Sequence, residues 1–226
     1  MESFAGKYIT EERLKPYLAV TDNDFDLSIE LYLLYMRINE SLYFPLQNIE
    51  LIIRNSFYKI IANKYGKDWI FEKKYLLYGL SGKKDLLEKQ LDLLYHKNKS
   101  IKNINDVISN VQFGFWLVFL DDDFEVTIWR PCLRKLFVKY DNKVLRSNIR
   151  DRLKFIKSIR NRVFHHETLL RYNLMDSYKE IIYFISLISD EFSKWTEKYS
   201  TFMNSYGNLE NFIETNGLEL KNLGNL

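Results

Sequence analysis

In the stretch SIRNRVFHHE, Ser158 to Glu167, two of the protein's three histidines stand side by side behind two arginines. On a helix, residues four apart share a face, so Asn161 and His165 are neighbours, as are Arg162 and His166. Arg160 lies about 100° around from Asn161 by the helical period, which leaves a long side chain within reach of the same cleft. An arginine offers a rigid fork of donors that fits a phosphate, and an unperturbed imidazole titrates near about pH 6.5. These are the parts needed to cut RNA without a metal. The ribose 2′-hydroxyl attacks the adjacent phosphorus, a base takes its proton, an acid protonates the leaving 5′-oxygen, and cationic donors stabilise the phosphorane. Positioned proton transfer contributes roughly 10² to 10⁴ in rate and each well-aimed donor about 3 kcal/mol, so one Arg and one His give partial catalysis and a second pair would complete the site.

Other chemistries fit less well. His165, His166 and Glu167 are consecutive, so on a helix they diverge by about 100° each and do not converge on a metal ion. A histidine satisfied by the negative end of a helix is the competing account of the string from physics alone. His96 is expected to be structural near a helix C-terminus. Cys132, the single cysteine, excludes an internal disulfide and a cysteine-based zinc site, and is expected to be a small buried apolar group. Asp121, Asp122 and Asp123 lack the spaced ligands of a calcium loop and are expected to form a solvated cap or turn. No cofactor or metal is called for.

The elements that must position the motif follow from apolar periodicity. A lead-in helix is expected over about 10–20, starting at Thr10 with acids in its first turn. A second is expected from about Asp24 to Ser41 on a stripe of Phe25, Ile29, Tyr32, Leu33, Met36 and Leu42. Pro45 marks a boundary, and a third helix follows to Gly66 on Leu46, Ile49, Ile52 or Ile53, Phe57, Ile60 and Ile61. SGKKDLLEKQLDLLYHKN, from Ser81, predicts another. INDVISNVQFGFWLVFLDDDF is expected to be a buried helix broken or tightened near Gly114, its aromatics in the core. The motif closes a basic helix over about Asn142 to His166, with Leu145, Ile149, Leu153, Ile156, Ile159 and Val163 inside and Arg146, Arg150, Lys154 and Lys157 on another face. A last long helix is expected from Leu174 to Tyr199, with at most a short, loosely packed one after Thr201. The class is all-α, with residues 1–226 as one domain.

The formal net charge of +3 hides an asymmetry. Arg130 to Arg171 holds thirteen Lys and Arg against three acids, about +10, which leaves about −7 elsewhere. So one-sided a segment suggests a polyanionic partner. No apolar run approaches the roughly 20 residues of a membrane span, and the opening MESFAGKYITEERL lacks the pattern of a secretory signal, so a cytoplasmic protein is expected.

Arg160, Asn161, Arg162, Val163, Phe164 and His165 fit R-N-x-x-x-H, the signature of HEPN domains, which are helical ribonuclease modules. LYFPLQNIELIIRNSFYKIIANKYGKDWI, Leu42 to Ile70, resembles the N-terminal helix of the Abi-like (AbiD/AbiF) abortive-infection family, and QFGFWLVFL, IWRPCLRKLF and IRNRVFHHE resemble that family's segments in the same order. The resemblance covers about Leu42 to Leu170. It implies an HEPN-like helical bundle with additional helices and metal-independent endoribonuclease action in phage defence. The composite site would be assembled in a homodimer, and a small RNA or a protein antitoxin would hold it silent in some relatives. Arg160 would hold the scissile phosphate, His165 would be the acid or base, and Asn161 would position one of them. His166, Glu167 and Arg162 would support the motif. Arg54 and Asn55 match a further family position without a following His, since Tyr58 stands there, and would support or contact RNA. Thr168 stands where relatives frequently carry Pro. Arg146, Arg150, Lys154 and Lys157 would grip RNA phosphates. The alternative is a non-catalytic HEPN protein that binds RNA through the same basic surface.

Overall fold

The computed structural model describes residues 8–72, 104–137 and 145–219, and all regular structure among them is helical. In chain order the helices are α1 (Glu11–Leu18), α2 (Phe25–Tyr65), α3 (Trp69–Glu72), α4 (Ile104–Asn110), α5 (Phe113–Val118), α6 (Arg146–Phe164), α7 (Leu174–Ile188), α8 (Asp190–Tyr199) and α9 (Phe202–Thr215). Between α5 and α6 the chain makes a 3₁₀ turn at Asp122–Phe124, a π turn at Glu125–Trp129 and a second 3₁₀ turn at Leu133–Phe137. The all-α class expected from periodicity is what the described residues adopt. The helix expected from Ser81, with His96, lies outside them, as does the stretch before Leu145.

Pro45 does not divide α2, which runs unbroken for 41 residues. Proline inside a helix removes one backbone hydrogen bond and crowds the carbonyl four residues earlier, at a cost of about 3 kcal/mol. Here a single buried line continues through it: Leu31, Tyr35, Ile38, Leu42, Leu46, Ile49, Ile53, Phe57 and Ile61 are at most 1% exposed. Each such side chain contributes about 1.5–3 kcal/mol on burial, so keeping the line in phase outweighs the proline. Of the stripe expected on the first half, Leu42 is buried and Ile29 and Tyr32 are half-buried, but the rest is out of phase. Phe25, Leu33 and Met36 are exposed, while Leu31, Tyr35 and Ile38 are inside.

The chain divides into two compact units, one of Met1–Leu46, Ile159–Ile182 and Trp195–Leu226, the other of Gln47–Ser158 and Tyr183–Lys194. In the first, the Tyr17 ring packs edge-on against Tyr32 and Tyr35 at 5.3 and 5.8 Å. The tail is better built than expected, because Phe202 of α9 is fully buried and stacks on Tyr178 at 4.3 Å. In the second unit, Phe115, Trp116 and Phe119 form the expected aromatic core, with Trp69 and Phe124 packed edge-on against Phe119 at 5.6 and 5.4 Å. The segment is broken near Gly114, as expected, the break itself falling at Gln112, which is extended and precedes α5. Gly114 has a different role. A Cβ there would meet Lys157 Nζ at 2.8 Å, so the missing side chain leaves a path for the lysine. The expected long last helix is two helices, because Ser189 accepts the Phe192 amide through its hydroxyl at 3.2 Å and so caps α8. Leu145, expected inside, precedes α6 and is exposed.

Candidate active site

The motif occupies the last turn of α6 and the bend that ends it. The buried line Ile149, Leu153, Ile156, Ile159 and Val163 fixes the rotation of this helix, as its periodicity predicts. At its end the His166 amide bonds the Val163 carbonyl at 3.2 Å and the Glu167 amide bonds the Arg162 carbonyl at 2.8 Å. This pairing is a Schellman closure, with His166 in the left-handed position where glycine is usual, at φ +56°. His165 caps the helix, its amide still on the Asn161 carbonyl at 2.9 Å. The closure therefore separates the two histidines, with His165 at the helix end and His166 in the left-handed residue beyond it.

The left-handed turn is held from several sides within the first unit. The Arg13 guanidinium of α1 donates to the His166 carbonyl. Tyr17 donates its hydroxyl to Thr168 Oγ1 at 3.1 Å, and the same oxygen accepts the Leu170 amide at 3.2 Å. Burial pushes the Tyr17 phenol above its ordinary value of 10.0, so it stays protonated and able to donate. Thr168 thus closes by hydrogen bonds a turn that a proline would close covalently. Arg162 bonds the Tyr172 hydroxyl at 3.0 Å and pairs with Glu167 at 3.1 Å. Arg162 and Glu167 brace the bend, and His166 supplies its left-handed residue.

Arg160 sits one turn earlier. Its guanidinium lies over the Phe164 ring at 4.2 Å, and Phe164 stacks on Tyr43 of α2 at 4.6 Å. Arg160 Nη1 also reaches Asn161 Oδ1, at 3.4 Å. The arginine and asparagine of the motif are therefore joined and half-buried, while His165 is exposed. His165 opens into a groove of about 1200 Å³, walled by Arg13 and Tyr17 of α1, by Tyr32, Asn39 and Tyr43 of α2, and by the bend after α6. Sequence reasoning assigned none of these α1 and α2 residues to the site, and Tyr32 only to an apolar stripe. No family model, no curated protein and no solved structure matches this chain.

The basic face of α6 is placed differently from the expectation. Arg146 is only 10% exposed in its side chain, donating to the Leu120 carbonyl, to Asp122 and, at 2.5 Å, to Glu125. Arg150 pairs with Asp151 at 3.0 Å and approaches Asp121 at 4.0 Å, and Lys154 lies 3.6 Å from Asp121. The aspartates do lie at a turn, as expected, and Asp122 is exposed, but Asp121 is buried, and these two carboxylates are the counter-charge of this face. Lys157 lies over Gly114, and Arg146 is an internal strut. Arg54 and Asn55 belong to the second unit, where Arg54 is half-buried with an unpartnered Nε and Asn55 is exposed. Tyr58, one turn on, donates to the Lys67 carbonyl at 3.1 Å.

This network makes a pH prediction. Burial alone would push the Glu125 carboxyl up, but the bonds from Arg146 and Arg130 outweigh it and hold the group below its ordinary value of 4.5. Folded Glu125 then takes up a proton less readily than in the unfolded chain. Its contribution to stability is fully present above about pH 4.5 and is lost as the pH falls through the lowered value. The gap in Tm between the wild type and Glu125→Gln is expected to be constant from pH 7 to 5 and to close below that, measured by thermal unfolding across pH.

Among the described residues, no cluster of three or more His, Cys, Asp or Glu could hold a metal ion, and no helix is long and apolar enough to cross a membrane. Cys132 is buried and free, its thiol pushed up by burial.

Proposed function

We propose that this chain is an HEPN-type endoribonuclease that cuts RNA by attack of the ribose 2′-hydroxyl on the adjoining phosphate. One observation carries the reading: a single helix end presents Arg160 joined to Asn161 and, one turn on, an exposed His165 at the mouth of a groove. Arg160 supplies donors to the non-bridging oxygens of the scissile phosphate, Asn161 keeps that guanidinium in place, and His165 moves the proton. The 2′-oxygen to phosphorus bond forms as the bond to the 5′-oxygen breaks. The products are a 2′,3′-cyclic phosphate and a 5′-hydroxyl.

Each chain offers one Arg160 and one His165, whereas the reaction needs both a base and an acid. A homodimer that brings two motifs together supplies the second pair. The resemblance of several segments to Abi-like proteins supports a place in phage defence, with a small RNA or a protein antitoxin as the silencing partner. With Arg146 internal and Arg150 and Lys154 paired to acids, the grip on RNA phosphate falls chiefly to Arg160 at the helix end.

The test is incubation of the purified protein with RNA in excess EDTA, followed by mapping of the new ends. Fragments ending in 2′,3′-cyclic phosphate are expected. Fragments ending in 3′-hydroxyl, or cleavage abolished by EDTA, would sink the mechanism. Salt-sensitive binding with no new ends would favour the non-catalytic alternative.

A further inference from the structure

We propose that the groove beside His165 is a base-binding subsite, in which one unpaired RNA base stacks on Tyr43 and donates a hydrogen bond to Asn39. The proposal deepens the nuclease reading and rests on it for the identity of the strand.

The groove's charges decide what part of a nucleotide it suits. Its lining holds three arginines, Arg13, Arg37 and Arg162, against three glutamates, Glu12, Glu40 and Glu167. Arg37 is paired with Glu40 at 2.8 Å and Arg162 with Glu167 at 3.1 Å, while Arg13 bonds the His166 carbonyl. A groove whose cations are so engaged is a poor phosphate site. It suits an uncharged planar group that adjoins a phosphate held elsewhere.

Two features point to an aromatic base with a donor on its edge. Tyr43 stacks on Phe164 yet is 48% exposed, and it lines the groove. A base laid on the free side of its ring would extend the order Arg160, Phe164, Tyr43, with the arginine at the far end. Asn39, one helical turn before Tyr43, also lines the groove, and its Oδ1 is buried with no hydrogen-bond partner. A buried acceptor left unpaired is destabilising, so in a native protein it calls for a donor from outside the chain. Every RNA base carries such a donor on its pairing edge, and only an unpaired base can offer it. At about 1200 Å³ the groove is larger than one nucleotide needs, so the base fits between its walls, and only the half-buried Asn39 amide must turn to bring its Oδ1 to the base.

The test uses fluorescent pentanucleotides carrying 2′-fluoro sugars, which cannot be cleaved by 2′-hydroxyl attack, with affinity read by anisotropy on the full chain. Two pairs differ by one donor: adenosine against purine riboside, and uridine against 3-methyluridine. Removing the donor is expected to weaken binding about tenfold in at least one pair for the wild type, and to have little effect in Asn39→Leu. Tyr43→Ala is expected to weaken base-bearing pentamers about tenfold and to leave abasic ones unchanged, while Tyr43→Phe binds as the wild type does. Equal affinity within both pairs in the wild type, or a preference that survives in Asn39→Leu, would overturn the subsite, as would base-bearing and abasic pentamers binding alike. The wild-type comparisons decide the matter even where a variant does not fold. RNA cut through His165 without any base effect removes the subsite and leaves the nuclease. Base-dependent binding with no cleavage of ordinary RNA removes the nuclease and leaves the subsite.

Discussion

His165→Ala is expected to lower the rate of RNA cleavage by about 10² to 10⁴, the usual contribution of a positioned proton-transfer group. Arg160→Ala is expected to cost about 10² to 10³, the range found when one donor to a developing oxyanion is removed. In the proposed mechanism both would act on one phosphorane, so the double variant should fall far short of the product of the two losses. The measurement is single-turnover cleavage at saturating protein. His165 is exposed on the last turn, so its removal should change stability by no more than about 0.5 kcal/mol. Arg160→Ala also uncovers one face of Phe164 and should cost about 1 kcal/mol, so unfolding must be recorded beside the rates. Cleavage that persists unchanged in both single variants would place the chemistry elsewhere.

The largest expected effect on stability falls on a residue the sequence assigned to RNA. Arg146→Ala should destabilise the fold by about 2–4 kcal/mol, since it strands the Leu120 carbonyl and leaves the carboxylate of Glu125 without its main partner. The lower part of that range is favoured because Glu125 keeps Arg130, at 3.0 Å, and is 30% exposed. For a chain of this length that is a fall in Tm of roughly 5–12 °C. Arg146→Lys should recover little, because an ammonium cannot reach three acceptors in one plane. Below its melting point the Arg146→Ala protein should bind RNA with an unchanged salt dependence, whereas loss of a phosphate contact reduces the slope by about one. A reduced slope in that variant would return Arg146 to the RNA surface.

Arg146 also shows where sequence reasoning reached its limit. The spacing of Ile149, Leu153, Ile156, Ile159 and Val163 fixed which face of α6 is buried, because nothing competed with it. The same spacing put Arg146 on another face but carried no information about Asp122 and Glu125, which lie more than twenty residues earlier and reach it only after folding. The acidic triplet, abrupt after an apolar run, was the available sign. In α2 two apolar lines at helical spacing compete, one through Leu33 and Met36 and one through Leu31, Tyr35 and Ile38, and only tertiary packing selects the second. Pro45 and Ser189 show the two sides of local signals. A proline was overridden by a continuous buried line, while an unremarked serine hydroxyl was enough to start a new helix. The R-N-x-x-x-H string was legible as one helix end. The groove was not, since its walls come from three segments far apart in the chain.

The stack that holds Arg160 has a directional consequence. A guanidinium lying on a benzene ring has one flat side closed, and all five of its N–H bonds point outward in the plane of the group. Asn161 Oδ1 takes one position on that rim. In the proposed reaction a phosphate would be received edgewise, in the plane of the donors, and an oxygen arriving from above or below would meet no donor. The motif would then filter the approach angle of a phosphate as well as its charge, and a flexible ammonium in its place would keep the charge while losing the angle.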